Sequence, residues 1–451
     1  MDGSGGRAVA LGVVVVVLAL VGAACGGGAA PTGPGATPTG TSPTAVDLTG
    51  QRVEVVAVWG EDTGEGEKFK RVLDAFAQQT GAQVQYTPSG GVDLTTFIGT
   101  RIQGGNPPDV AMLPNPGLLR DFATQGVLKP IEDIAGDLVD QNFAPSWREL
   151  ASHEGTLYGV YFKGANKSTV WYNKGIFEQA GVQPPSTWED LLAAAQTISD
   201  SGLAAPFAID GGTAWVLTDW FENVYIRTAG PGLYDQLARH EIPWTHDSVR
   251  TALETLAQVF GKPDWILGGP SGALQASFPS DALRIAGDQP EAAMYYEGDF
   301  LGGILASEAG AQLGQDVDFF DFPSIGGSGP AVVGGGDVAV LFTDNPAAQQ
   351  LIRFLATPEA AEIWAALGGF SSPNRNVDPS VYPDDISRRS AVALAQAEVF
   401  RFDLSDLAPA AFGGTTGQGM FKGLQDFLRN PRDVEGTMQY LEEQAQQAYG
   451  S

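Results

Sequence analysis

The sequence predicts an α/β fold with a mainly parallel sheet and two lobes whose segments interleave. Three observations lead there. Short β-branched runs alternate with helices that carry one apolar face. A length of 451 residues is enough for two or three domains with real cores. No composition break marks a simple boundary inside 50–451, so a linear string of domains is not indicated.

Residues 53–59, VEVVAVW, are apolar and β-branched and read as a buried strand. GEGEKFKRVLDAFAQQTG follows. Phe69, Val72, Leu73 and Phe76 stand at i, i+3, i+4 and i+7, and Gly81 suits a helix stop. QVQYTP is a second strand, FIGTRIQ a helix, and DVAML at 109–113 a third strand. STVWYNK begins as a strand, Pro184-Pro185 breaks the chain, and Ser186 with Glu189 forms a capping box that opens a helix. From about 187 to 265 the pattern is mostly helical. EAAMYYEGDF and AVVGGGDVAVLF return to strand character. Asn345-Pro346 and Thr357-Pro358 each read as an N-cap followed by proline at the first helical position. The last eighty residues read as helices and loops.

The N-terminus has a different chemistry. AVALGVVVVVLALVGAA (8–24) is one apolar run behind a single Arg7, the layout of a secretory signal. Cys25, the only cysteine, stands at its end, and LVGAAC resembles the lipobox of bacterial lipoproteins, which implies lipidation of Cys25. Each buried methylene contributes about 0.8 kcal/mol, so several acyl chains hold a protein at a membrane. The Gly-, Pro- and Thr-rich residues that follow cannot bury enough surface to fold and read as a tether.

Composition excludes several classes. One cysteine rules out an intramolecular disulfide and a Cys-rich zinc cluster, and His153, His240 and His246 are too few and too scattered for a metal site. A net charge of −28 repels a phosphate backbone, so nucleic acid is not an expected partner. No nucleophile elbow, zinc-protease motif, P-loop or dinucleotide fingerprint is present, and no cofactor is expected.

Six stretches, taken in order, resemble the extracellular solute-binding proteins of ABC importers, in the branch that binds oligosaccharides. They are GNPPDVAMLPNPGLL (105–119), WYNKGIFEQAGVQPPSTWEDL (171–191), TDWFENVYIRTAG (218–230), AAMYYEGDF (292–300), GGGDVAVLF (334–342) and GGFSSPN (368–374). The TDW segment, with HEIPW at 240–244, is most similar to the α-glucoside binders. The resemblance implies two α/β lobes of periplasmic-binding-protein type joined by crossing hinge strands. It places a signal at 1–24, the lipidated cysteine and tether at 25–51, one lobe at 52–163 plus 316–354, and the other at 164–315 plus 355–451. It implies a lipid-anchored monomer on the outer face of the cell membrane. That protein closes on an oligosaccharide and delivers it to the transmembrane permease subunits. The rivals are a lipid-anchored glycoside hydrolase, a module that feeds a sensor, and the same fold binding another solute such as a glycerophosphodiester.

A sugar asks for charged or planar hydrogen-bond partners beside an aromatic ring that meets its C–H face. Trp215 and Trp220 flank Asp219; such a pair serves core packing as readily as a sugar, and Trp215, in a Gly/Thr loop, is the one expected to face the cleft. Gly298, Asp299 and Phe300 end an apolar strand, offering close approach, an acceptor and a stacking ring. Gly335, Gly336 and Asp337 have the same logic, since consecutive glycines are costly unless something must come close. Lys163 and Asn166 precede the WYNK strand, at the implied inter-lobe crossing. Glu61 and Asn115 each follow a first-lobe strand, and Phe370 and Asp403 are weaker candidates. Tyr172, Trp188 and Trp364 read as core.

Overall fold

The computed structural model describes residues 46–90 and 94–450. Cys25 and the expected signal at 1–24 lie outside the described residues, as does most of the tether. The folded body begins before residue 52. Leu48 is buried, and its N–H donates to the Thr80 carbonyl at 2.7 Å. Among the described residues, no helix is long and apolar enough to cross a membrane.

Among the described residues, twelve strands form two main sheets and a small hairpin. β1 (Arg52–Ala57), β2 (Gln83–Pro88) and β3 (Val110–Leu113) are parallel, with β1 between the other two. Helix α1 (Gly64–Thr80) connects β1 to β2, α2 (Leu94–Gln103) precedes β3, and α3 (Pro116–Thr124) follows it. The first helix starts on Thr63, whose side chain accepts from Gly66 N–H, and stops at Gly81 in the left-handed conformation. The expected apolar face of Phe69, Val72, Leu73 and Phe76 is buried. β4 (Ser152–His153) and β5 (Thr156–Leu157) pair as the hairpin. β6 (Gly159–Asn166) then runs into β7 (Thr169–Asn173), which opens the second sheet. β8 (Ala205–Ala208), β9 (Ala292–Tyr296) and β10 (Val317–Asp321) complete that sheet in the order β10-β7-β9-β8. The chain returns through β11 (Val332–Leu341), which pairs antiparallel with β3 and β6, and β12 (Phe400–Phe402) pairs parallel with the start of β11.

Among the described residues, the chain therefore passes between the lobes three times: at Asn166–Thr169, between β10 and β11, and at Phe402–Leu404. At the last, Phe402 packs in the first core and Leu404 in the second. The expected lobe boundaries shift accordingly. Residues 317–321 stand in the second sheet, because β10 pairs antiparallel with β7 along its full length. The first lobe extends past 354, because Trp364, Phe370, Tyr382 and Phe402 pack into its core. The second crossing thus lies near 322–331 and the third near 403.

Other local expectations also shift. The helix Trp188–Ser201 is capped by Thr187, which accepts from Asp190 N–H at 3.1 Å, one residue after the expected Ser186. The Ser186 carbonyl is held by Ser324 N–H at 3.1 Å, which fixes the chain so that Thr187 reaches the helix start. The stretch 187–265 contains β8, and the C-terminal region contains β12. Asn345 and Thr357 do cap proline-initiated helices. Tyr172, Trp188 and Trp364 are buried as expected.

Tight packing in the second lobe gives a testable result. A Cβ on Gly302 would lie 2.5 Å from the Trp171 ring, and Trp171 is buried. Gly302→Ala should cost about 1–3 kcal/mol by overpacking, read as a lowered midpoint in a thermal melt. An unchanged midpoint would mean that the ring can move aside freely.

Candidate functional site

The floor between the lobes is the antiparallel pair β6 and β11. Asp337 stands opposite Lys163, Gly336 opposite Gly164, and Gly335 opposite Ala165. Two lysines rise from this floor and its extension into the first crossing.

Lys163 is buried. Its Nζ lies 2.6 Å from Glu65 Oε1 and 3.9 Å from Asp337 Oδ2. The rings of Trp59, Phe300 and Trp364 surround it at 5.3, 5.3 and 5.6 Å. Burial works to remove its proton, but Glu65 and then Asp337 outweigh burial, and the net shift is upward. Burial raises Asp337 to about 6, against the pull of Lys163. Because Glu65 comes from the first lobe and Phe300 from the second, Lys163 touches both.

Lys167 lies in the first crossing. Its Nζ is 3.2 Å from Asp219 Oδ2 and pairs with Asp403. It also sits 5.1 Å from the centre of the Trp215 ring. Trp215 is the first residue of the helix Trp215–Ala229 and is half-buried, against Phe278 at 5.2 Å and Phe300 at 6.4 Å. The three rings form an aromatic wall beside the two lysines. Burial raises Asp219 to about 8, Lys167 opposing and Asp403 reinforcing. Burial pushes Glu222, Glu297 and Asp406 well above the ordinary carboxylate range, neighbouring carboxylates reinforcing it and Lys167 opposing it at Glu297 and Asp406.

The structure thus brings together Lys163, Asp337 and Phe300, and beside them Trp215, Asp219, Gly335 and Asp403. The other expected residues are placed differently. Glu61 is exposed in the turn between β1 and α1; Glu65, one turn further on, reaches Lys163 because Thr63 starts the helix there. Asn115 caps α3, accepting from Leu118 N–H at 2.7 Å. Asn166 is buried and braces the crossing: its side chain accepts from Ser168 N–H, and its carbonyl from Asp299 N–H. Asp299 accepts from Ser371 and Ser390 hydroxyls at 2.5 and 3.0 Å, and burial raises it. Phe370 is core, stacked on Trp364 at 5.0 Å. Trp220 is also core.

The glycines do meet close neighbours, but these are protein atoms. A Cβ on Gly335 would lie 3.0 Å from Lys167 Cε, one on Gly336 would lie 2.6 Å from the Lys163 carbonyl, and one on Gly298 would lie 2.5 Å from the Phe300 ring. Glu65, Lys167, Trp59, Glu222, Glu297 and Asp406 were not singled out from sequence. Lys167 carried the one available signal, its place beside Asn166 in the crossing.

Asp219, Glu222 and Asp403 offer carboxylate oxygens within 4.8 Å of one another, which is metal-ligand spacing. Lys167 already supplies a cation between Asp219 and Asp403. Glu222 is committed to Leu404 N–H at 2.7 Å, Ser405 N–H at 3.0 Å and the Tyr234 hydroxyl at 3.1 Å. The set is thus held as an internal salt cluster around Lys167. A cavity of about 700 Å³ lies beyond the third crossing. Arg401 on its wall is bidentate to Asp235 at 2.5 and 2.9 Å, and Arg120 donates to the Leu407 carbonyl, so neither arginine is free to serve as an anchor.

The geometry is that of two buried lysine clusters on and beside the crossing segments, with an aromatic wall next to them. Residues 60–362 match the family model described as bacterial extracellular solute-binding protein. The chain is 37% identical over 381 residues to the osmoprotective compounds-binding protein GgtB of Synechocystis sp., covering 83% of this chain and 88% of that one. It is 33% identical over 411 residues to the alpha-glucosides-binding periplasmic protein AglE of Rhizobium meliloti, covering 87% of each. Among solved structures, the bacterial solute receptor AcbH superposes with a TM-score of 0.76 at 21% identity, covering 88% of this chain and 99% of that one. Maltose-bound MalE3 of T. maritima gives 0.68 at 17% identity, covering 88% and 99%. These two likenesses establish a shared two-lobed fold, and the family match spans about two thirds of the sequence. The chain belongs to the bacterial extracellular solute-binding protein family.

Proposed function

We propose that this protein is the substrate-binding component of an ABC importer, capturing an oligosaccharide, and specifically an α-glucoside, between its lobes for delivery to a membrane permease. The observation that carries this reading is the grouping of charged and aromatic side chains at the crossings. Lys163 with Asp337, and Lys167 with Asp219 and Asp403, stand beside the aromatic wall of Trp215, Phe278 and Phe300. Charged partners for hydroxyls next to rings for C–H faces are what a pyranose requires. The α-glucoside assignment draws further support from the likeness to AglE. Glu65, Asp219, Asp337 and Asp403 outnumber the two lysines they pair with, which disfavours a phosphodiester. The apolar run and Cys25 support a lipid anchor on the extracytoplasmic face, with the protein acting as a monomer.

The test is the thermal midpoint of the purified protein with maltose, sucrose, trehalose, glucose and glycerophosphocholine. A ligand at about 1,000 times its Kd stabilises by about 4 kcal/mol, a readily visible shift. A shift with a disaccharide, and no product after long incubation, is the expected result. No shift with any sugar would remove the glucoside reading, and steady release of monosaccharide would replace it with a hydrolase.

A further inference from the structure

Lys167 is joined to several of the segments that meet at the hinge. Its N–H donates to the Val333 carbonyl in β11 at 2.9 Å. Its carbonyl accepts from Asn223 Nδ2 at 2.9 Å, on the Trp215–Ala229 helix, and from the Tyr296 hydroxyl at 2.8 Å, at the end of β9. Its side chain passes over Gly335, whose missing Cβ leaves the room, and ends between Asp219 and Asp403. One residue therefore links the first crossing, the return strand, the third crossing and the helix that carries Trp215.

The ammonium is outnumbered. Asp219 and Glu222 face it from the helix, Glu297 from beyond β9, and Asp403 and Asp406 from the third crossing. Tyr296 and Tyr234 are the neighbouring hydroxyls, and Arg227, one turn beyond Asn223, is spent on Asn223 and the Ala331 carbonyl. The carboxyl groups lie as two neighbouring pairs, Asp219 beside Glu297 and Asp403 beside Asp406. Asp219 Oδ2 faces Lys167 Nζ at 3.2 Å, while Glu297 Oε2 and Asp403 Oδ1 are buried without a hydrogen-bond donor among the described residues. Two carboxyl groups in contact hold together by sharing a proton and repel once both are ionised.

We propose that Lys167 is a positioning residue that clasps the first and third crossings to the start of β11, and that lobe closure follows the protonation of the two carboxyl pairs around it. Closure is set by the clasp, and its effect on ligand affinity rests on the sugar-binding reading above. With each pair sharing a proton, the clasp carries little excess charge and the helix bearing Trp215 stays against the crossing. As pH rises the pairs ionise, a single ammonium cannot balance them, and the open arrangement gains.

Small-angle scattering of the unliganded protein tests this directly. The radius of gyration should be larger at about pH 9 than at about pH 6. Lys167→Met should already be expanded at the lower pH, Lys167→Arg should match the parent, and Lys167→Met/Asp219→Asn should return towards it. The pH arm uses the unaltered protein, so it stands even if the methionine variant folds poorly. In parallel, the Kd for maltose should rise at least about 5-fold over the same pH range. One radius at both pH values would overturn the clasp, as would a Lys167→Met variant that folds with the parent's radius. If the radius responds but maltose binds at neither pH, the clasp stands and the glucoside reading falls.

Discussion

Lys163→Met is expected to destabilise the protein by about 3–5 kcal/mol, the range for removing one partner from a buried ion pair. At roughly 2–4 °C per kcal/mol the midpoint should fall by at least about 6 °C. Lys163 is only 5% exposed, and its side-chain partners Glu65 and Asp337 are 19% and 13% exposed. Solvent cannot replace the lost ammonium without the lobes parting. Methionine keeps most of the volume and suits an aromatic surround, so the loss reports charge rather than a cavity. Asp337→Asn in the same background removes the stranded carboxylate and should restore part of the midpoint. The loss should also be greater at about pH 8 than at about pH 5, since Asp337 can take up a proton at the lower pH. A single variant that melts within about 2 °C of the parent would show that the three rings and the two acids do not depend on the cation.

Local chemistry carried the sequence reading a long way. Gly81, Asn345 and Thr357 mark helix ends because caps act within a few residues, and all three stand where expected. Ser186 missed by one because Ser324, 138 residues away, holds its carbonyl. The glycines of β11 read as a place where a ligand comes close, and protein atoms stand close to them. Spacing could not reveal that the Lys167 stem, the Lys163 carbonyl and the Phe400 ring take that space rather than a ligand. Glu65 was hidden because an acid in the first turn already has a sufficient role beside the helix N-terminus. Lys167 was hidden because its partners are 52 and 236 residues distant. Strands and caps are legible from neighbours in the chain; a salt cluster built at the first and third crossings is not.

The same burial predicts a stability optimum on the acid side of neutrality. Asp337 and Asp219 have folded values of about 6 and about 8 against an ordinary 3.8. An acid raised on folding binds its proton more tightly in the folded state. Its contribution is therefore full below about pH 4 and is lost as pH climbs through the folded value. Glu54, held low mainly by Arg101, and Asp137, held low mainly by Arg353, work in the opposite direction. Their contribution is present above the ordinary carboxylate value and is lost as pH falls through the lowered one. Lys163 and Lys167 are raised bases, whose contribution persists until well into the alkaline range. The midpoint should therefore peak near about pH 5 and decline towards about pH 8.5. Asp219→Asn, which cannot ionise, should flatten the decline. Surface repulsion from a net charge of −28 could mimic the alkaline branch, but added salt screens exposed charges and leaves buried ones nearly untouched. A decline that survives about 0.5 M salt and is flattened by Asp219→Asn assigns the titration to the clasp. A midpoint that rises from pH 5 to 8 would mean that the buried carboxyl groups are ionised in the folded protein, with Lys163 and Lys167 sufficient to hold them.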